Sequence, residues 1–105
     1  MSTLYSWIKD HIRQKTEIEV KYNGPGGQGW RMMWPMLIGQ TFALDDVVLC
    51  YQPSGPAQYR KWRCLKLSKV LDYREPNNPD NQRPPDLTAQ DIQKQNCVNY
   101  PDQAP

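Results

Sequence analysis

Glycine, proline and paired acids punctuate the middle of this chain so closely that little but short strands fits between them. Asn23-Gly24-Pro25-Gly26-Gly27-Gln28-Gly29, Gly39-Gln40, Asp45-Asp46 and Pro53-Ser54-Gly55-Pro56 leave apolar segments of roughly four to nine residues, lengths that suit strands better than helices. The chain has 105 residues, enough for one small domain that buries roughly two-thirds of its unfolded surface. A large catalytic cleft is not expected. Six of the ten prolines follow residue 75, where strong hydrophobes thin out, so the core must come mainly from the first seventy-odd residues.

Before the punctuated region the period is helical. Leu4, Ile8 and Ile12 lie at i, i+4 and i+8 with Trp7 beside them, one apolar stripe on a helix of about three turns. Ser2 or Thr3 can cap its start, and Arg13 and Lys15 suit a C-terminus near residue 15. Ile18, Val20 and Tyr22 then alternate with Glu17, Glu19 and Lys21, a strand with one buried face. The glycine-rich loop that follows reads as a hairpin connection, since no lysine and serine/threonine pair stands in phosphate-loop order.

Trp30 to Ile38 is apolar and β-prone, and Pro35, unable to donate to a ladder, marks a bend, bulge or edge. Thr41 to Leu44 reads as a short strand, Val47 to Tyr51 as another, and Tyr59 to about Tyr73 as a final strand or strand pair. In that last stretch the apolar parity slips between Cys64 and Leu65, for which a bulge is the simplest account. Helix first, then about five short strands, predicts a mainly β domain over residues 1–75, a small strongly curved sheet or barrel with the helix against it. Residues 76–105 read as a Pro/Asn-rich linker with a short tail helix. Thr88 and Asp91 fit a capping box, and Leu87 and Ile92 a hydrophobic staple, for a helix over about 89–96. Such a helix is too short to survive undocked.

The net charge of +2 hides an uneven field. From Arg60 to Arg74 six cations face the single acid Asp72, whereas acids outnumber bases from Glu75 onward. Cys50, Cys64 and Cys97 are odd in number and widely spaced, which predicts a reduced, cytoplasmic setting, with Cys50 and Cys64 as small buried hydrophobes on strands. No apolar run approaches the roughly 20 residues of a membrane-spanning helix, so no membrane partner is expected.

No constellation suited to catalysis emerges. His11 has no neighbouring ligand set, and the cysteine spacings do not suit zinc. Asp45-Asp46 has the chemistry of a turn, and no serine or cysteine stands in a nucleophile context. The reading is therefore a non-enzyme without cofactor or metal. What remains is a basic and aromatic set: Arg31 between Trp30 and Met32, Tyr51, Tyr59, Arg63, Lys66 and Lys69. Guanidinium forks, ammonium groups and rings can together bind phosphates and stack bases.

Ile18-x-Val20-x-Tyr22, Arg31 followed by Pro35, Cys50-Tyr51, and Arg63-x-Leu65-Lys66-Leu67-Ser68-Lys69-Val70 together form a pattern that resembles the WYL domain over about residues 4–75. That family's closing strand runs arginine, any residue, phenylalanine, arginine, leucine, aspartate, arginine, isoleucine. Here Ser68 stands for the aspartate and Lys69 for the second-last arginine, and Asp46-Val47-Val48 occupies the place of the naming triplet. The resemblance implies an SH3-like, Sm-type barrel that binds a nucleic-acid or nucleotide-like ligand and regulates another activity. By position Arg31, Tyr51, Arg63, Lys66 and Lys69 match the family's polar ligand-facing places. Lysine at 69 turns a bidentate clamp into a point-charge contact.

The leading expectation is thus a non-enzymatic regulatory binding module for nucleic acid or a nucleotide-like anion. The alternative is a protein–protein interaction or adaptor module acting through a sheet edge or the C-terminal tail, with Leu87, Ile92 and Val98 as contacts. Free edges after Leu37 or Tyr51 would allow a homodimer.

Overall fold

The computed structural model describes residues 3–24, 27–53, 62–77 and 83–102. Helix α1 spans Thr3–Gln14. Its inner face is Tyr5, Ile8 and His11, all buried, with Leu4, Trp7 and Ile12 packed beside them. The predicted stripe is therefore widened by Tyr5 and His11. Lys15 takes a left-handed conformation while Lys15 N bonds Ile12 O and Thr16 N bonds His11 O, the pair of contacts that closes a Schellman end.

The strands are β1 (Ile18–Gly24), β2 (Gly27–Gln40), β3 (Asp46–Tyr51), β4 (Trp62–Lys66), β5 (Val70–Arg74) and β6 (Tyr100–Pro101). They form one antiparallel sheet in the order β4-β3-β2-β1-β5, with β6 pairing β2. The long β2 serves both halves: residues 27–33 pair with β1 and residues 34–40 with β3. Between Pro35 and Leu37 the register shifts, so the bend expected at the proline is a bulge that sets Met36 outside the ladder. The edges expected after Leu37 and Tyr51 are not free, because Leu37 pairs with Leu49 and Tyr51 lies between Trp34 and Trp62.

Because cross-strand partners share a face, the sheet has two well-defined sides. One carries Ile18, Val20, Tyr22, Met33, Ile38, Val48, Cys50 and Leu65 and packs on α1 through Tyr5 and Ile8. The other carries Val47 and Leu49, covered by Cys97 and Val98 with Leu37, Trp62 and Leu87 alongside. The sheet is thus buried on both faces at β3.

Two local expectations are corrected. Residues 41–44 are not a strand but the turn between β2 and β3, with Leu44 N bonded to Thr41 O and Leu44 itself left-handed. No bulge lies between Cys64 and Leu65, since β4 pairs with β3 without a break from Trp62 to Lys66. The apolar parity slips there because both faces of β4 are engaged: Leu65 enters the helix-side core, and Cys64 is bonded across the other face to Cys97.

That bond overturns the expectation of three reduced cysteines. Cys64 and Cys97 form a disulfide with Cα atoms 5.6 Å apart, and only Cys50 is a free, buried thiol among the described residues. Disulfides are typical of oxidising compartments, so the cysteines cease to argue for a cytoplasmic setting. The tail is correspondingly docked. Helix α2 (Ala89–Gln95) opens with the predicted capping box, Asp91 N donating to Thr88 Oγ1 and Thr88 N to the Asp91 carboxylate. After left-handed Asn96 the chain turns back, buries Cys97 and Val98, and adds β6 to β2 at Gly39↔Pro101 and Gln40↔Tyr100. No helix among the described residues is long and apolar enough to cross a membrane.

Candidate anion-binding face

Strand register decides which of the basic residues share a surface. Arg31 pairs with Val20, and Arg63 with Cys50. Val20 and Cys50 belong to the core under α1, so both arginines lie on that same side of the sheet, brought from β2 and β4. Each is half-buried. The Arg31 guanidinium lies 5.8 Å from the centre of the Tyr22 ring, a cation–π contact worth about 0.5–1 kcal/mol at a partly exposed site. The hydroxyl of the same ring accepts a 3.1 Å bond from Lys66 N. Arg63 Nε is shielded from solvent, which strengthens the field its charge can exert on an anion.

The remaining candidates divide. Lys66 pairs with Val47 and so lies on the opposite face, its Nζ 3.8 Å from Asp45 Oδ2. Tyr51 is on that opposite face too, in edge contact with Trp62 at 5.3 Å. Lys69 is exposed on the 3-10 turn Leu67–Lys69 that joins β4 to β5. Tyr59 falls outside the described residues. Arg63 and Lys66 are three residues apart on one strand, and an odd offset sends them to opposite faces.

Two further groups are not singled out by the sequence. Arg74 at the end of β5 stacks its guanidinium 3.8 Å from the centre of the Trp30 ring and bonds Glu19 at 2.6 Å. In the sequence Arg74 is only one member of a charge run, and its pairing depends on β1 lying between β2 and β5. His11 is held between Thr16 Oγ1 at 2.6 Å and Glu75 Oε1 at 2.9 Å, and Trp7 Nε1 donates to the same Glu75 oxygen. This network ties α1 to the end of β5 and gathers no metal-ligating set among the described residues.

At the far end of β2 a cavity of about 270 Å³ is lined by Tyr5, Gly39, Gln40, Asp46, Tyr100 and Asp102. Tyr5 donates its hydroxyl to Asp102 Oδ2 at 2.7 Å. Burial, reinforced by that carboxylate, pushes the phenol well above its ordinary range, so it stays a neutral donor. Burial likewise pushes the Cys50 thiol far up and makes it a poor nucleophile.

No protein-family model matches the chain, and no curated protein matches it. Fold and site together define a small antiparallel β protein with an N-terminal helix, a docked C-terminal helix and two arginines on the helix side of its sheet.

Proposed function

We propose that the chain is a non-enzymatic regulatory module that binds nucleic acid or a nucleotide-like anion, and that its sheet curls into the SH3-like form implied by its resemblance to the WYL domain. The observation that carries the reading is the placement of Arg31 and Arg63 on one face from strands two apart in the sheet order. Two half-buried guanidinium groups can fork onto phosphate oxygens from two sides, and exposed Lys69 can supply a flanking point charge. The curled form is supported by the link between the outermost strands. A flat sheet of five strands would separate β4 from β5 by about 19 Å, whereas the four steps from Lys66 to Val70 reach at most about 14 Å.

Chemical-shift mapping with a short single-stranded oligonucleotide tests the site. Perturbations should centre on Arg31, Tyr22 and Arg63 and vanish in the Arg31→Ala/Arg63→Ala variant; perturbations elsewhere, or none, would refute it. A second reading, a protein-interaction module, is favoured by the exposed side chains of Phe42, Leu44 and Tyr100. The tail contributes less to it than expected, because Val98 is buried and Leu87 packs beside it in the second core.

A further inference from the structure

The turn joining β2 to β3 presents large apolar side chains to water on a backbone that is held firmly. Thr41 N bonds Asp45 O at 3.0 Å, Leu44 N bonds Thr41 O at 2.9 Å, and Phe42 N bonds Asn99 Oδ1 of the tail at 3.0 Å. On this frame Phe42 is 73% exposed and Leu44 64% exposed, and Tyr100, in edge contact with Phe42 at 5.6 Å, is 52% exposed. Leu44 sits at φ 66°, where asparagine or glycine would be at ease and leucine is not. An exposed leucine in a disfavoured conformation gains nothing for the fold, and contiguous exposed apolar groups mark contact surfaces.

Tyr100 and Asp46 join this surface to the cavity at the end of β2. The cavity has room for several waters at about 30 Å³ each, hence for the head of one long side chain. Among the described residues its lining holds two carboxylates and no cation. Lys9 offsets Asp102 at 3.3 Å, whereas Asp46 meets the neutral amide of Gln40 at 3.2 Å and forms no ion pair among the described residues. Asp46, in no ion pair among the described residues, thus keeps its negative charge at the site.

We propose that this surface docks a protein partner that places an arginine or lysine side chain in the Asp46–Asp102 cavity and an adjacent apolar side chain on Phe42, Leu44 and Tyr100. Charge complementarity selects the cation, and the apolar platform beside it selects a polypeptide over a free amine. The site lies at the opposite end of β2 from Arg31 and is independent of the anion-binding face.

The test is fluorescence anisotropy with a labelled pentapeptide, arginine flanked by leucines and glycines, against the same peptide with glutamate at its centre. The arginine peptide should bind saturably, and the glutamate peptide about fivefold more weakly or worse. Asp46→Asn should weaken the arginine peptide with the thermal midpoint unchanged. Leu44→Asn should weaken both peptides while the thermal midpoint holds or rises, since asparagine tolerates the left-handed backbone. Arg63→Ala should leave the peptide affinity as it was. Equal affinity for the two peptides, no saturable binding at millimolar peptide, indifference to Asp46→Asn, or loss of binding in Arg63→Ala would each overturn the proposal. The last result would place the peptide on the anion-binding face instead.

Discussion

The hydroxyl of Tyr22 on β1 accepts a hydrogen bond of 3.1 Å from the backbone amide of Lys66 at the end of β4, although β2 and β3 stand between those strands in the sheet order. One buried ring therefore links β1 to β4, the strand at one end of the sheet path, and also underlies Arg31. Tyr22→Phe keeps the ring and removes the acceptor. It should cost about 1–2 kcal/mol, the penalty of leaving a part-buried amide without its partner, and speed hydrogen exchange at Lys66. Urea unfolding measures the first effect and native-state exchange the second.

The Cys64–Cys97 disulfide joins positions 33 residues apart. On the chain-entropy account a loop of that length is worth about 3–4 kcal/mol. Reduction, or Cys97→Ser, should therefore lower the thermal midpoint by on the order of 15 °C. Thiol titration of the unreduced, denatured protein should find Cys50 alone. A midpoint indifferent to reductant would mean that the tail is held by Val98 and β6 without help from the bond.

Gly39 is where β6 crosses closest to β2. A Cβ there would lie 2.2 Å from the Tyr100 carbonyl oxygen and 2.9 Å from Pro101 Cα, both backbone atoms that cannot swing aside. Gly39→Ala should push β6 off the sheet and cost about 1–3 kcal/mol, the range for overpacking. The effect should appear as faster exchange of the Asp102 amide, which bonds Ile38 O at 2.8 Å.

How far the sequence carries the fold depends on whether each signal is local. The stripe Leu4, Ile8 and Ile12, the alternation Ile18, Val20 and Tyr22, and the Thr88/Asp91 box are complete within a few residues, and all three elements form where they are expected. The turn at 41–44 reads as a strand because Phe42 and Leu44 look like strand residues; their exposure and the left-handed backbone become visible only once the tail is docked. The disulfide is illegible because its partners meet only after α2 turns the chain back on β4. The basic set is legible as residues but not as a surface. Only the register shows that Arg31 and Arg63 share a face and that Lys66 does not.

Acid should open the start of α2. Bonds from Thr88, first its backbone N–H and then its hydroxyl, hold the Asp91 carboxyl below the ordinary carboxylate range. A depressed folded value means that the stabilisation is fully present above the unfolded value of about 3.9 and disappears as pH falls through the folded one. The Thr88 amide resonance should stay constant from neutral pH down to about 5 and move below about 4. Thr88→Ala removes the hydroxyl and keeps the backbone N–H, so it should reduce the acid-induced shift of the residue 88 amide without abolishing it, and fray the helix at neutral pH.

If Arg31 and Arg63 together receive phosphates, anisotropy titration of a single-stranded oligonucleotide across a range of salt concentrations, for the wild type and for Arg31→Ala/Arg63→Ala, should show it. Binding should be salt-sensitive, with a log–log salt slope that falls by roughly 0.7 for each phosphate the protein no longer neutralises, about 1.4 in the double variant. Wild-type binding with an unchanged slope and affinity in the variant, or no binding at low salt, would contradict it.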